Sequence, residues 1–339
     1  MSDTILKTLQ ETEGLFLPAI PQLPQGRYVH FVLVRETESF PLFQTDGTLN
    51  SIRVQAGLTH EETISRLVMF KRKQTSPERL RGREILRYFG LITDSGDRAC
   101  EYNSANFCKQ CPDCILYGYA IGNEGAEKSK VYADSAFSIT AYEESHKALS
   151  FNALYEHGTM TQAGITRSSF GEQDHVVPQV FFPAVITLRD PTYESFLYVL
   201  GNILHTSRYG AQDSRTGAVY NHLVATVFAN GEIFSNLRFA QVIYDHLRGE
   251  QQEGKESNFW QTPLSRDKVL SKAATAFDEL IQAEPVFVAR AIKGDEVENL
   301  RQEMTRLYQK ETESNKFLSD LYEATRSYAS KYGARRTGK

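Results

Sequence analysis

The sequence predicts an α+β fold, a sheet with helices on one side, and three observations lead there. Arg27 to Arg35 sets Val29, Phe31 and Leu33 in alternation with Tyr28, His30 and Val32, the period of two expected of a strand. Ser76 to Gly90 instead places Gly82, Ile85, Leu86 and Phe89 on one face at helical spacing. The coarse order along the chain is strand, helix, cysteine-rich insertion, strand, long hairpin, helix, glycine-rich loop, strand and then helices, and such mixing suits α+β architecture.

Residues 1–26 hold a short amphipathic opening and then Pro18, Pro21 and Pro24, the pattern of an extended lead-in. After the first strand comes a polar loop with Asp46-Gly47 as a turn. Ile52 to Val54 reads as a short strand, and Thr59 to Phe70 reads as helical. His30 reads as a packed strand residue, since no second histidine lies nearby in sequence. In the next helix Ser76 is the expected cap, Pro77 the first helical residue and Gly90 the left-handed stop. Having no side chain, Gly82 lets this helix approach its neighbour closely.

That helix carries a basic stripe, Arg79, Arg83 and Arg87, one turn apart. Lys71, Arg72 and Lys73 precede its expected cap. From Arg66 to Arg87 there are eight basic residues against two acidic, Glu78 and Glu84. The whole chain carries a formal net charge of −4, which argues against indiscriminate coating of nucleic acid but leaves room for a local positive groove.

All four cysteines, Cys100, Cys108, Cys111 and Cys114, fall in one short stretch of the 339 residues. Sulfurs spaced two residues apart can converge on a tetrahedral ion, and zinc suits that donor set. Four protein sulfurs leave no open coordination position, so such a zinc is structural. Two other readings stand beside it. Cys108-x2-Cys111-x2-Cys114 also matches the core of a bacterial ferredoxin-type iron–sulfur run, although its fourth cysteine lies on the wrong side. The other is a reduced cluster without metal. Clustered thiols and an N-terminus without an apolar signal core point to the cytoplasm. No run approaches the roughly 20 apolar residues of a membrane span.

Beyond the cysteines, Val131 to Ile139 reads as a strand, and residues 151–188 as a long hairpin. Pro178 and Pro183 would each remove a ladder bond, which suggests an edge or projecting element. Pro191 opens a helix through about His205. A glycine-punctuated loop with Arg208, Ser214, Arg215 and Gly217 follows, then the strand Ala218 to Phe228. Such a loop can present amides and guanidinium groups to phosphates. The tail reads as helical, with one face through Leu270, Ala273, Phe277 and Leu280 and another through Val297, Leu300, Met304 and Leu307.

The order Ser76-x3-Leu80-Arg81-Gly82-x4-Arg87, followed by cysteines ending Cys114-Ile-Leu-Tyr117-Gly118, resembles the repeat-associated RNA-binding superfamily of CRISPR systems. Val131 to Ser135, Val177-Pro178 with Phe181 or Phe182, and Ser214-Arg215-Thr216-Gly217 resemble further segments of that superfamily. Arg81 stands where it often has lysine, Arg87 follows at a longer interval than usual, and Tyr117 replaces phenylalanine. Within the superfamily the chain is most similar to the repeated backbone subunit of the type I-D Cascade complex.

The resemblance covers roughly residues 27–230. It implies a modified RNA-recognition-motif (ferredoxin-like) core over 27–230, a zinc-binding insertion at 91–130, a thumb hairpin at 151–188 and a mainly helical part at 231–339. It also implies a non-catalytic subunit that polymerises along guide crRNA, pairs with target DNA or RNA through the guide, and contacts other Cascade subunits. Arg167 and Phe170 would lie at the thumb tip, with Phe170 wedging between bases. The rival readings are a metal-dependent ribonuclease acting through Asp46 and a stand-alone zinc-ribbon nucleic-acid-binding protein.

Overall fold

The structure is a computed structural model that describes residues 5–45, 47–122, 125–152, 154–156, 158, 161–162, 165–166, 170–210, 216–249 and 263–333, with backbone alone at 151–152, 162, 165–166 and 170. In chain order its principal elements are β1 (Tyr28–Thr37), β2 (Ser51–Gln55), β3 (Thr63–Met69), α1 (Lys71–Tyr88), β4 (Val131–Ala133), β5 (Ala136–Ala141), β6 (His146–Asn152) and β7 (Phe170–Val176). There follow β8 (Phe181–Arg189), α2 (Tyr193–His205), β9 (Arg208–Tyr209), β10 (Gly217–Ala229), α3 (Asn236–Gly249), α4 (Arg266–Ala283), β11 (Val288–Lys293), α5 (Asp295–Gln309) and α6 (Glu311–Tyr332). A mixed α+β protein is therefore what the chain forms.

The main sheet runs β9-β10-β1-β8-β4, with β11 also paired to β10, and every pairing is antiparallel. The alternation in β1 divides two cores. Val29, Phe31 and Leu33 meet Ile85 and Leu86 of α1 and Phe196 and Leu200 of α2. Val32 and Val34 turn the other way and meet Phe239 and Ile243 of α3 and Phe277 of α4. Helices thus cover both faces of the sheet, where the sequence suggested one. The reason is that nearly all of β1 and β8 is buried, and a sheet apolar on both faces needs cover on both. His30 is buried in β1 between Thr187 Oγ1 and the Gly231 carbonyl, and burial lowers its pKa to about 4, so it is a packed neutral residue.

Several elements differ from the sequence expectation. Residues 63–69 form a strand between β2 and β5, not a helix. Ile64, Leu67 and Val68 mimic a helical stripe, but pairing on both flanks decides the conformation. The expected strand at 131–139 divides: β4 joins the main sheet, and β5 joins β2 and β3. β8 is an interior strand despite Pro183, because its pairing with β4 covers only Ile186–Leu188 and leaves the proline without a strand on that flank. β11 interrupts the expected helical tail, and its pairing to β10 stabilises it as a strand. β6 and β7 form a two-stranded antiparallel ribbon at the base of the expected thumb.

Helix α1 begins at Lys71, five residues before the expected cap, and Pro77 lies inside it. The buried Gln74 amide holds the added turn by donating to the Met69 and Asp134 carbonyls. Lys71, Arg72 and Lys73 therefore project from the helix itself. Gly90 does stop the helix, at φ +66°, with the Leu91 amide donating back to Leu86. Gly82 is required by packing, since a Cβ there would lie 2.4 Å from Asn202 Nδ2 and 2.6 Å from the Tyr198 hydroxyl. Among the described residues no helix is long and apolar enough to cross a membrane.

A buried ionic network joins α1 to the sheet. Arg35 Nη2 lies 2.8 Å from Glu78 Oε1, and both side chains are fully buried. Arg35 also donates to the Tyr209 hydroxyl and Asn221 Oδ1, while Tyr209 donates to Glu78. Removing one member leaves an uncompensated buried charge. Glu78→Ala should therefore lower unfolding free energy by about 3–5 kcal/mol in a denaturant titration, and a loss below about 1 kcal/mol would place this pair in the class of weak surface bridges.

Candidate functional site

The cysteine segment wraps against the outer side of α1. Cys111 caps the short helix Pro112–Leu116, whose first position suits Pro112, and Lys109 takes a left-handed φ of +63° to turn the chain between Cys108 and Cys111. The four sulfurs lie within 4.8 Å of one another. Cys100 Sγ is 3.9 Å from Cys111 Sγ and 3.7 Å from Cys114 Sγ, and Cys108 and Cys114 are 3.9 Å apart. Tetrahedral sulfurs about 2.3 Å from one ion would lie about 3.8 Å from each other. The residues therefore fit a four-thiolate metal site.

Their surroundings fit it too. The Cys108 amide donates to Cys100 Sγ, the Cys111 amide to Cys108 Sγ, and Arg83 Nη1 to Cys100 Sγ. These donors are the kind that stabilise a thiolate ligand. Burial pushes the Cys111 thiol well up, whereas hydrogen bonds from Cys108, Cys111 and Cys114 pull Cys100 far down. Four such thiols cannot ionise together without a cation among them.

Asp113, between two of the cysteines, is fully buried and gripped by two arginines. Arg79 Nε and Nη2 bind its two oxygens at 2.8 and 3.0 Å, and Arg83 Nη1 binds Oδ2 at 2.8 Å. Arg83 also donates to the Cys100 carbonyl and Arg79 to the Gly118 carbonyl. Burial opposes the charge on each, yet Asp113, joined at Arg83 by Cys100 and Cys111, raises both pKa values. Gly118 must be glycine: its φ is +78°, and a Cβ would meet the Glu127 carbonyl oxygen at 2.5 Å.

These contacts correct the expected phosphate stripe. Arg83 is fully buried and Arg79 nearly so, and both bind the cysteine segment. Arg87 is partly exposed beside that segment, 3.2 Å from Asp94. Gly217 is buried in β10, and a Cβ there would lie 2.4 Å from the Pro41 nitrogen. Close approach to backbone is what that glycine serves.

Other expected residues do converge. A cleft of about 650 Å³ opens between α1 and the chain leaving α2. Arg72, Lys73 and Arg81 line it from the helix, and Arg208, Gly210 and Thr216 from the opposite side. Among the described residues only Arg81 of these cations pairs with a carboxylate, the exposed Glu84 at 2.8 Å. Burial, and after it the nearby Arg72 charge, lowers the Lys73 pKa. Lys71 is exposed on the same turn but does not line the cleft. The sequence did not single out Tyr102, Asn103 or His205 as lining residues. Ser214, Arg215, Arg167 and Asp46 lie outside the described residues, and Phe170 is placed only by its backbone, paired with Asn152 in the ribbon.

Fold and site together define an α+β protein with a four-thiolate centre bolted to a helix that lines a basic cleft. Residues 15–318 match the Csc2 CRISPR family, and the chain belongs to that family. Among curated proteins none matches. Of solved structures, the crystal structure of Thermofilum pendens Csc2 is similar over 98% of this chain and 99% of its own, at 13% identity and a TM-score of 0.60. A chain of a CRISPR RNA-guided surveillance complex is similar over 77% of this chain and 86% of its own, at 10% identity and a TM-score of 0.43. The first shares the fold.

Two outcomes follow from the site's geometry. Elemental analysis should find about one zinc per chain, as a single four-thiolate site requires, and iron with labile sulfide would contradict this. Arg83→Ala should lower the melting temperature and metal retention, and Arg83→Lys should restore neither, because lysine lacks the fork that spans Asp113 and Cys100. Full retention of metal by Arg83→Ala would contradict the assigned role.

Proposed function

We propose that the chain is a non-catalytic, guide-RNA-binding backbone subunit of a CRISPR type I-D interference (Cascade) complex. The observation that carries the reading is the cleft in which α1 and the segment after α2, far apart in sequence, bring Arg72, Lys73, Arg81 and Arg208 together. An open cleft lined by cations and small polar groups suits a phosphodiester backbone more than a small metabolite. Membership of a CRISPR family favours guide RNA as the polyanion in question.

The chain order β1-α1-β4-β8-α2-β10, with strands side by side as β10-β1-β8-β4, is the split βαβ pattern and supports an RNA-recognition-motif-like core. Its second face is covered by α3 and α4, so RNA would run along the cleft rather than across the open sheet. Ser214, Arg215, Arg167 and Phe170 would add further RNA contacts. Copies would stack head to tail along the guide beside other Cascade subunits, and base pairing would select target DNA or RNA. Zinc at the four cysteines would be structural, the assembly cytoplasmic, and strand scission no part of this chain's work.

Each phosphate neutralised on a single strand contributes about −0.7 to the slope of log affinity against log salt. Arg208→Ala should thus flatten the slope by about 0.7 and weaken all guide sequences alike. Unchanged affinity and slope in Arg208→Ala would remove the cleft from RNA binding.

A further inference from the structure

The cysteine segment does more than pack beneath the cleft: it supplies one of its walls. Tyr102 and Asn103, on the loop between Cys100 and Cys108, line the cleft together with Arg208. Three contacts fix Tyr102 there. Its hydroxyl lies 3.1 Å from Ser76 Oγ of α1, the Arg79 guanidinium sits over its ring at 4.9 Å, and Phe107 meets it edge-on at 6.3 Å. Asn103 is exposed and takes a left-handed φ of +57°, so it forms the tip of a tight turn. The loop is anchored at both ends by residues of the four-sulfur cluster, and Arg79 links the Tyr102 ring to Asp113, between two of those cysteines in sequence.

We propose that Tyr102 and Asn103 form a nucleotide-contacting wall held in place by the metal, so that metal binding and single-stranded RNA binding strengthen each other. This rests on the cleft being the RNA site. The chemistry of the wall complements the cations of the cleft. Arg72, Lys73 and Arg208 offer charge to phosphates, while Tyr102, with Pro77 and Leu80 nearby, offers an aromatic and apolar surface to a base. A metal ion that joins Cys100 to Cys108 closes the intervening loop and removes its alternative conformations. RNA that contacts the closed loop must then favour the metal-bound form, and by linkage the metal must favour the RNA-bound form to the same degree.

The test uses the zinc-loaded full-length chain and an oligouridylate. Zinc affinity is measured at equilibrium by competition with a chelator, with and without saturating RNA. The expected result is an RNA-induced rise in zinc affinity of about fivefold or more. Tyr102→Ala should keep one zinc per chain, bind RNA about tenfold more weakly with an unchanged salt slope, and lose the coupling. Asn103→Gly, which keeps the left-handed turn without strain, should also weaken RNA binding and serves if Tyr102→Ala does not fold. The proposal is overturned if RNA leaves zinc affinity unchanged, or if the folded variants bind RNA like wild type. Arg208→Ala separates the two failures. If it weakens RNA binding while the wild-type protein shows no coupling, the cleft stands and the wall falls. If it leaves RNA binding unchanged, the cleft falls and takes the wall with it.

Discussion

A buried carboxylate, Asp113, holds the two halves of the candidate site in register. It lies within the cysteine segment, and Arg79 and Arg83 reach it from successive turns of α1. Two guanidinium groups and one carboxylate leave a net positive charge in a closed space, which an electron-rich cluster of thiolates beside Arg83 would offset. Without the sulfurs the arginines would be a liability, and without the arginines the sulfurs would lack charge-bearing donors. The two groups make sense as one unit, and the cleft is shaped by it.

A second constraint acts from the sheet. Among the described residues, α1 and α2 pack on one face of the main sheet and α3 and α4 on the other. The cleft lies at the end of α2 and the start of β10. Arg35, Glu78, Tyr209 and Asn221 lock α1, β9 and β10 together directly behind the cleft, so both of its rims are held rigidly. Preorganised rims reduce the conformational entropy lost when a flexible strand binds. The C-terminal helix contributes from outside: Lys130 lies 4.7 Å from the Tyr328 ring, and Arg98 lies 5.6 Å from Tyr322, clasping the cysteine segment from behind.

Much of this was legible in the sequence because it is local. The alternation of Val29, Phe31 and Leu33, the packing role of Gly82 and the convergence of the four cysteines all follow from short-range spacing. What could not be read was non-local. A stripe such as Arg79, Arg83 and Arg87 has the same spacing whether it faces phosphates or a carboxylate about thirty residues away in the chain, and only the position of Asp113 distinguishes the two. Tyr102 carried no signal as a cleft residue, because its place depends on Ser76 and Arg79 meeting it across the fold. Thr63 to Met69 was misread for the same reason, since strand partners at Ile52 and Phe137 override a helix-like apolar pattern. β11 was within reach: Val286, Val288, Arg290 and Ile292 alternate as a strand should.

The most direct test of the account is photocrosslinking of thiouridine-substituted guide RNA to the intact chain, with the attachment sites mapped by peptide mass analysis. The account predicts attachment on both rims and the wall of the cleft, at 72–81, at 102–103 and at 205–208. Attachment confined to the outer faces of α3 and α4, with the cleft unlabelled, would contradict it.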